Sequence, residues 1–393
     1  MNILQTNKAY YPVVGGIETN IRNLARSFAR CPDVDVRVLV CSGHVTMRDE
    51  RATVDGVPVT YAASMGKALS MPLSLSYVRH LWRERADIVH VHSPFPLADL
   101  TLMLSGWKRK TGARIVLTWH NDIVRQKLAG ALYSPVVHRF LAQVDRVIVG
   151  APNNISSSRV LSQHRDKCEV IPFGIDLDWV DHEPSTMARA EEIRKTHLSP
   201  LILFVGRLVY YKGIEFLIDA MTDVAGASLV IVGSGPLEKN LRAQIDRRKL
   251  GHRVSILHPV PEAELHALYH ACDVFVLPSS EPTEGFGVVQ VEAMACGKPV
   301  IATNLPTGVT FVNQHGVTGL FVPPKDSRAL ADAINVLMAD PSLRERLGAN
   351  GRRRAFQEFT IQKMIDRTME LYRRLLGLPP DSMARSDAGE RAC

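Results

Sequence analysis

At 393 residues, 46 % hydrophobic and 22 % charged, the chain is neither disordered nor low-complexity, and it is too long for one ordinary core. Six scattered cysteines with no C-x-x-C pair exclude a zinc ribbon or a disulfide scaffold, and no apolar run nears the ~20 residues that span a bilayer. The net charge of +7 sits wholly in residues 1–179, with 22 Lys and Arg against 15 Asp and Glu; the remainder balances at 25 against 25. A basic half suits an anionic partner such as a membrane surface or an acidic lipid, or is ordinary scatter of surface charge. With 6 % aromatics and no stacking motif, nucleic acid is not expected as a partner. The first residues lack the apolar core of a signal peptide, so the expected location is cytoplasmic, soluble or peripheral on the inner face of the cell membrane.

Ile3-Leu4 opens a strand, and residues 11–16 follow as a loop. Ile17, Ile21, Leu24, Ala25 and Phe28 recur at helical spacing, predicting an amphipathic helix that starts at Gly15-Gly16. Strand, glycine loop and helix in that order can bind phosphate at the helix start, or form a plain tight turn. The G-x-G-x-x-G of dinucleotide sites is absent here. Strand-like runs continue at 36–40, 57–59, 88–91, 115–118 and 147–149. This β/α alternation predicts a mostly parallel sheet with ligand chemistry at the C-terminal ends of its strands. His92, His120 and Asp122 are expected just past such ends. A neutral imidazole at His120 could bond a sugar hydroxyl, accept a proton near neutral pH, or be a satisfied structural histidine. His90 and His92 share one strand face, without a clear third ligand for a metal. Asp33/Asp35 and Asp176/Asp178 are not read as cation clamps. Arg79, Arg83 and Arg85, among apolar residues from Leu69 to Trp82, and the basic run 107–110 read either as a membrane-contacting surface or as solvated helix faces.

A turn at 172–176 ends the first sheet, and a polar stretch to Ser199 places the domain boundary near 175–198. A second β/α series follows, with strands at 201–205, 228–232, 254–257, 274–277 and 300–302. Arg207 and Lys212 bracket the loop after the first of these, ahead of a helix beginning near Gly213; two cations at such a place suit a diphosphate. Gly233-Ser234-Gly235-Pro236 repeats the strand–glycine–helix pattern, with Pro236 expected in the first helical turn. Ser279 to Val300 is the densest stretch. Glu284 falls in a strand-to-helix turn where Gly285 and Gly287 permit close backbone approach, and Glu292 lies about two helical turns on. Gly297 and Pro299 stop that helix.

Gly15-Gly16, His120, Gly206-Arg207…Lys212-Gly213, Gly233-Ser234-Gly235 and the E-x7-E pair Glu284/Glu292 together resemble the retaining glycosyltransferases of family 4, over nearly the whole chain to about residue 377. The resemblance implies the GT-B fold, two facing Rossmann-like domains with parallel sheets and an interdomain cleft. It implies an N-terminal acceptor-side domain at 1–175 joined by a returning helix at about 359–377, and a donor domain at 176–358; residues 378–393, with Pro379-Pro380 and then small and charged residues, read as a disordered tail. The implied donor is a nucleotide-diphosphate sugar. Arg207 and Lys212 would bind its diphosphate, aided by the Gly16 backbone, with Gly15 and Gly233 also against the donor. Glu292 would hold the ribose, and Val260 would lie near the base. Glu284 with Gly285, Phe286 and Gly287 would hold the hexose, and His120 would contact the transferred sugar. Front-face transfer with retention, no required cofactor or metal, and a saccharide or lipid-linked acceptor are implied as well. Residues 303–309 and 322–326 are similar to those of surface-polysaccharide mannosyl- and rhamnosyltransferases using GDP-sugars, although UDP-sugar enzymes share the other motifs. A sugar-nucleotide epimerase or a non-catalytic sensor are the rival readings. At the hinge Phe173-Gly174-Ile175-Asp176 stands where the family often has Asn-Gly-x-Asp, so residue 173 is given no role.

Overall fold

Apolar runs bounded by glycine and polar turns fold as buried parallel strands when helices cover both faces of a sheet. The computed structural model describes every residue except 14, 69–70, 105, 121–126, 182–183, 198 and 380–393. The expectations for Asp122 and for most of the tail therefore lie outside the described residues. The chain forms two units, Met1–Gly174 with Ile361–Cys393, and Ile175–Thr360.

The first unit contains, among its described residues, β1 (Asn2–Asn7), β2 (Asp35–Cys41), β3 (Glu50–Val54), β4 (Val57–Ala62), the short pair β5 (Lys67–Ala68) and β6 (Met71–Pro72), β7 (Ile88–Ser93), β8 (Arg114–Trp119), β9 (Arg146–Val149) and β10 (Cys168–Val170). Its main sheet runs β10-β9-β8-β7-β1-β2-β4-β3. The pairings are parallel apart from the β3–β4 hairpin at the edge. Strand β3 was not expected, because it faces solvent and carries no apolar run. Its signal is Asp55-Gly56, both at positive φ, a dipeptide suited to a tight hairpin turn. His92 is a further correction: it lies inside β7 rather than past its end.

The helix Gly16–Phe28 buries Ile21, Leu24, Ala25 and Phe28, as its spacing predicts. The helix Ile361–Leu376 buries Met364, Met369, Leu371 and Tyr372 in the same apolar cluster as Ile3 and Phe28. The last described helix thus completes the core of the first unit, though the whole second unit separates the two in sequence. In the helix Leu75–Arg83, capped by Ser74, Tyr77 and Leu81 face the core while Leu75, Arg79, Trp82 and Arg83 are exposed. No helix among the described residues is long and apolar enough to cross a membrane.

The second unit contains β11 (Leu201–Val205), β12 (Ser228–Val232), β13 (Val254–Leu257), β14 (Val274–Leu277), β15 (Val300–Thr303) and β16 (Gly319–Val322). Its sheet is parallel, in the order β13-β12-β11-β14-β15-β16. Strand β16 is four residues at the sheet edge, too short to stand out in the sequence. The following helix after β12 starts at Glu238, so Pro236 lies in the turn before it. Leu208 and Leu237 hold that turn, with Leu208 N donating to Ser234 O at 2.9 Å and Leu237 N to Leu208 O at 3.1 Å. The strand order reverses between β11 and β14, and in the first unit between β1 and β7. Crevices for ligands open at such reversals.

Because Leu371 is fully buried, Leu371→Ala is expected to destabilise the first unit by about 2–5 kcal/mol. Denaturant titration measures this; a change below about 0.5 kcal/mol would mean that the helix does not belong to that core.

Candidate active site

In the second unit the reversal point is built by close backbone approach. Gly213 has φ +65°, and a Cβ there would sit 2.2 Å from the carbonyl oxygen of Pro278. Ser280 N donates to Tyr211 O at 2.8 Å, which ties the loop after β11 to the loop after β14. These contacts seat Lys212 on Glu284, Nζ to Oε2 2.6 Å, with both side chains only 10 % exposed. Ser279 Oγ donates to the same carboxylate oxygen at 3.0 Å, and Thr303 Oγ1 donates to Ser279 O at 2.5 Å. A buried ion pair persists only when such hydrogen bonds complete it. Arg207 is different: its side chain is exposed and makes no ion pair among the described residues.

Gly285 to Gly287 form the turn into the helix Val288–Ala295, with Gly287 at φ +69° as its N-cap. Gly308 N donates to Gly285 O at 2.8 Å and Gln290 Nε2 to Phe286 O at 2.8 Å, fixing the turn from outside and inside. The amides of Gly285 and Gly287 donate to no backbone carbonyl among the described residues, and amides at a helix start are available to a polar ligand. Phe286 is buried, edge-on to Phe359. Farther along the helix, half-buried Glu292 accepts a hydrogen bond from the Tyr269 hydroxyl. Burial pushes its carboxyl up to about 7, with Glu262 adding to the rise and the Tyr269 bond opposing it.

Arg207, Lys212, Gly233, Val260 and Glu284 to Gly287 therefore follow the C-terminal ends of β11, β12, β13 and β14, and Glu292 rides on the helix after β14. A Cβ at Gly233 would fall 1.9 Å from Gly206 O, so those two loops pack backbone to backbone. Sequence reasoning missed Ser279, Tyr269, Gln290, Thr303 and Gly308. Ser279-Ser280 directly after a buried strand was the available signal.

Gly15, Gly16 and His120 belong to the first unit. Gly15 is the extended N-cap of the helix Gly16–Phe28 and Gly16 its first residue. His120 follows β8 and is 6 % exposed. Its Nε2 lies 3.1 Å from Nδ1 of His92, whose Nε2 lies 2.9 Å from Gln5 Oε1. Gln5 Nε2 donates to the Tyr372 hydroxyl at 3.3 Å, and His90 joins that hydroxyl to Thr118. Burial pushes His90 and His120 down to about 3 and His92 well below the ordinary imidazole range, so all three rings are neutral at pH 7. Phe173, given no role by sequence, stacks on His120 with centroids 5.1 Å apart. Gly150 makes room for it: a Cβ there would fall 2.8 Å from the Phe173 ring.

Residues 14–179 match the model of "Glycosyltransferase Family 4" and residues 189–354 that of "Glycosyl transferases group 1". The O-antigen chain mannosyltransferase C of Escherichia coli is 35 % identical over 96 % of this chain and 99 % of that protein. The chain belongs to glycosyltransferase family 4. The D-rhamnosyltransferase WbpZ of Pseudomonas aeruginosa is 38 % identical over 92 % of each chain. The fold is that of Anabaena HepE, solved in complex with UDP, with a TM-score of 0.77, 22 % identity and coverage of 96 % of this chain and 100 % of that one.

In this glycosyltransferase Glu292 has a folded pKa of about 7 against an ordinary 4.5. The folded state holds this proton more tightly than the unfolded chain. The associated stability is complete below pH 4.5 and is lost as pH rises to 7, on the order of 3 kcal/mol in all. Glu292→Gln removes this ionisation. Melting scans between pH 5 and 8 are expected to show the variant gaining on the wild type as pH rises; a constant difference would contradict the raised pKa.

Proposed function

We propose that this glycosyltransferase moves a hexose from a nucleoside-diphosphate sugar, GDP-mannose or a related GDP-sugar, to a saccharide or lipid-linked saccharide acceptor in surface-glycan synthesis, with retention of anomeric configuration. The observation that carries the reading is Lys212 held on Glu284 at the strand-order reversal, in the same loop as the exposed Arg207. Two cations at such a crevice suit a diphosphate, and they can stabilise the leaving diphosphate without a metal. Glu284 Oε2 is taken up by Lys212 and Ser279, leaving Oε1 for a sugar hydroxyl. A carboxylate so neutralised is a poor nucleophile, which favours front-face transfer over a glycosyl-enzyme. Glu292 takes the ribose, and His120 contacts the transferred sugar.

The mannosyl- and rhamnosyltransferase relatives support the choice of sugar, and a GDP-mannose-dependent mannosyltransferase of Mycolicibacterium smegmatis, 28 % identical over 94 % of this chain, supports GDP as the nucleotide. Membrane contact by the first unit is supported by Val45, Met47, Met65, Leu73 and Leu75, all exposed. They are held near one another by pairing of Thr46 with Ser64 and of Met65 with Leu73. Arg79 and Arg83 flank them, and apolar side chains among cations suit an anionic bilayer.

A panel of GDP-, UDP- and ADP-sugars, scored for nucleotide release with lipid-linked acceptors in anionic or neutral vesicles, tests the reading. Release is expected to be fastest with a GDP-sugar on anionic vesicles and to persist in excess EDTA. Arg207→Ala is expected to lower kcat/KM by about 100-fold, with melting unchanged because Arg207 is exposed. Preference for UDP-sugars would replace the donor, and equal rates on both vesicles would remove the membrane. Loss in EDTA that added metal restores would overturn the metal-free mechanism, and full activity of Arg207→Ala the cation clamp. No release with any donor would reject transfer.

A further inference from the structure

Beneath His120 the buried polar residues of the first unit form one continuous hydrogen-bonded chain, and the orientation of the Gln5 amide, Nε2 on Tyr372 and Oε1 on His92, sets its direction. The Tyr372 hydroxyl has one proton and accepts from Gln5 Nε2. His90 Nδ1, 2.5 Å away, is the one other partner of that hydroxyl among the described residues, so the hydroxyl proton is satisfied there. Neutral His90 then carries its proton on Nε2 and donates to Thr118 Oγ1 at 2.6 Å. At the other end of the Gln5 amide, Oε1 only accepts, so His92 is protonated on Nε2. The bare Nδ1 of His92 must accept, and its partner is His120 Nε2. A neutral His120 is then bare at Nδ1, and that atom makes no hydrogen bond among the described residues.

We infer that this chain locks His120 in the Nε2–H tautomer, so that His120 meets its ligand as a hydrogen-bond acceptor through Nδ1, with His92 and Gln5 as positioning residues. Burial supports the lock, because ionising any of the three rings is costly. The nearly parallel rings of His92 and Phe173, 24° and 20° from the His120 plane, hold the ring in one orientation. The ligand implied is a sugar hydroxyl acting as donor, and this part rests on the proposed role of His120 in transfer. The tautomer does not rest on it.

The test has two independent arms. In the first, long-range 1H–15N spectra of the full-length protein labelled in histidine, with His120 assigned from the spectrum of His120→Asn, report its tautomer directly. The Nε2–H form is expected. An Nδ1–H form, which would require the whole chain to run in reverse, overturns the inference, as does a mixture of tautomers. In the second, His92→Phe removes the acceptor and His92→Gln keeps an acceptor and a donor. The Phe variant is expected to lose roughly tenfold or more in kcat with donor KM unchanged, and the Gln variant to recover most of it. Equal kcat in wild type and the Phe variant would overturn the positioning role. Should the Phe variant fail to fold, the wild-type spectrum still decides the tautomer. Full activity of His120→Ala would reject His120 as a sugar contact, a failure of the proposed function and not of the tautomer assignment.

Discussion

Lys212 and Glu284 lie on opposite sides of the place where the strand order of the second unit reverses, 2.6 Å apart and nearly out of water. Removing either charge alone leaves the other buried without compensation, a loss typically of several kcal/mol. That constraint governs the surrounding backbone. Gly213 has no room for a side chain against Pro278, and Gly308 has none against Gly285. Ser279 and Thr303 carry the hydrogen bonding from the carboxylate to β15. The lysine that the proposed diphosphate meets is therefore already ordered, and its flexible stem loses little further freedom on binding.

The first unit meets the same difficulty with neutral groups. Gln5, His90, His92 and His120 are buried, and a buried polar group without a partner is costly. The solution runs across three strands and passes through Tyr372 of the last described helix. That helix contributes apolar side chains to the core and a hydroxyl to the polar chain, so the fold and the state of His120 depend on the same segment. Phe173, given no role by the sequence, packs its ring against His120 from the turn that ends the first sheet. That aromatic face, 20° from the imidazole plane, orients the His120 ring.

Much of this was legible in the residues. Buried parallel strands are continuous apolar runs, so β11, β12, β14 and β15 were visible, as was the helix ended by Gly297. Arg207, Lys212 and Glu284 stood out as charges beside glycine turns at strand ends, and Glu292 by its spacing of two helical turns from Glu284. Strand β3 was not visible, since an exposed edge strand needs no apolar face. Pro236 was misplaced because Leu208, from the loop after β11, bonds Ser234 and Leu237 on either side of it and holds its turn out of the helix.

The sequence alone determined the β/α class, the strand ends at which polar chemistry collects, and the residue types gathered there. Those follow from local periodicity and from which side chains tolerate burial. Tertiary structure alone decided the partners: Glu284 with Lys212 and Ser279, Glu292 with Tyr269, and His120 with His92 and Phe173. These pairs are between 5 and about 70 residues apart, and no local pattern encodes which loops a parallel sheet brings side by side. Tyr372 shows this most plainly, reaching His90 from 282 residues away. Its hydroxyl reads in sequence as one polar atom on an amphipathic helix, and packing against the sheet is what turns it toward a histidine.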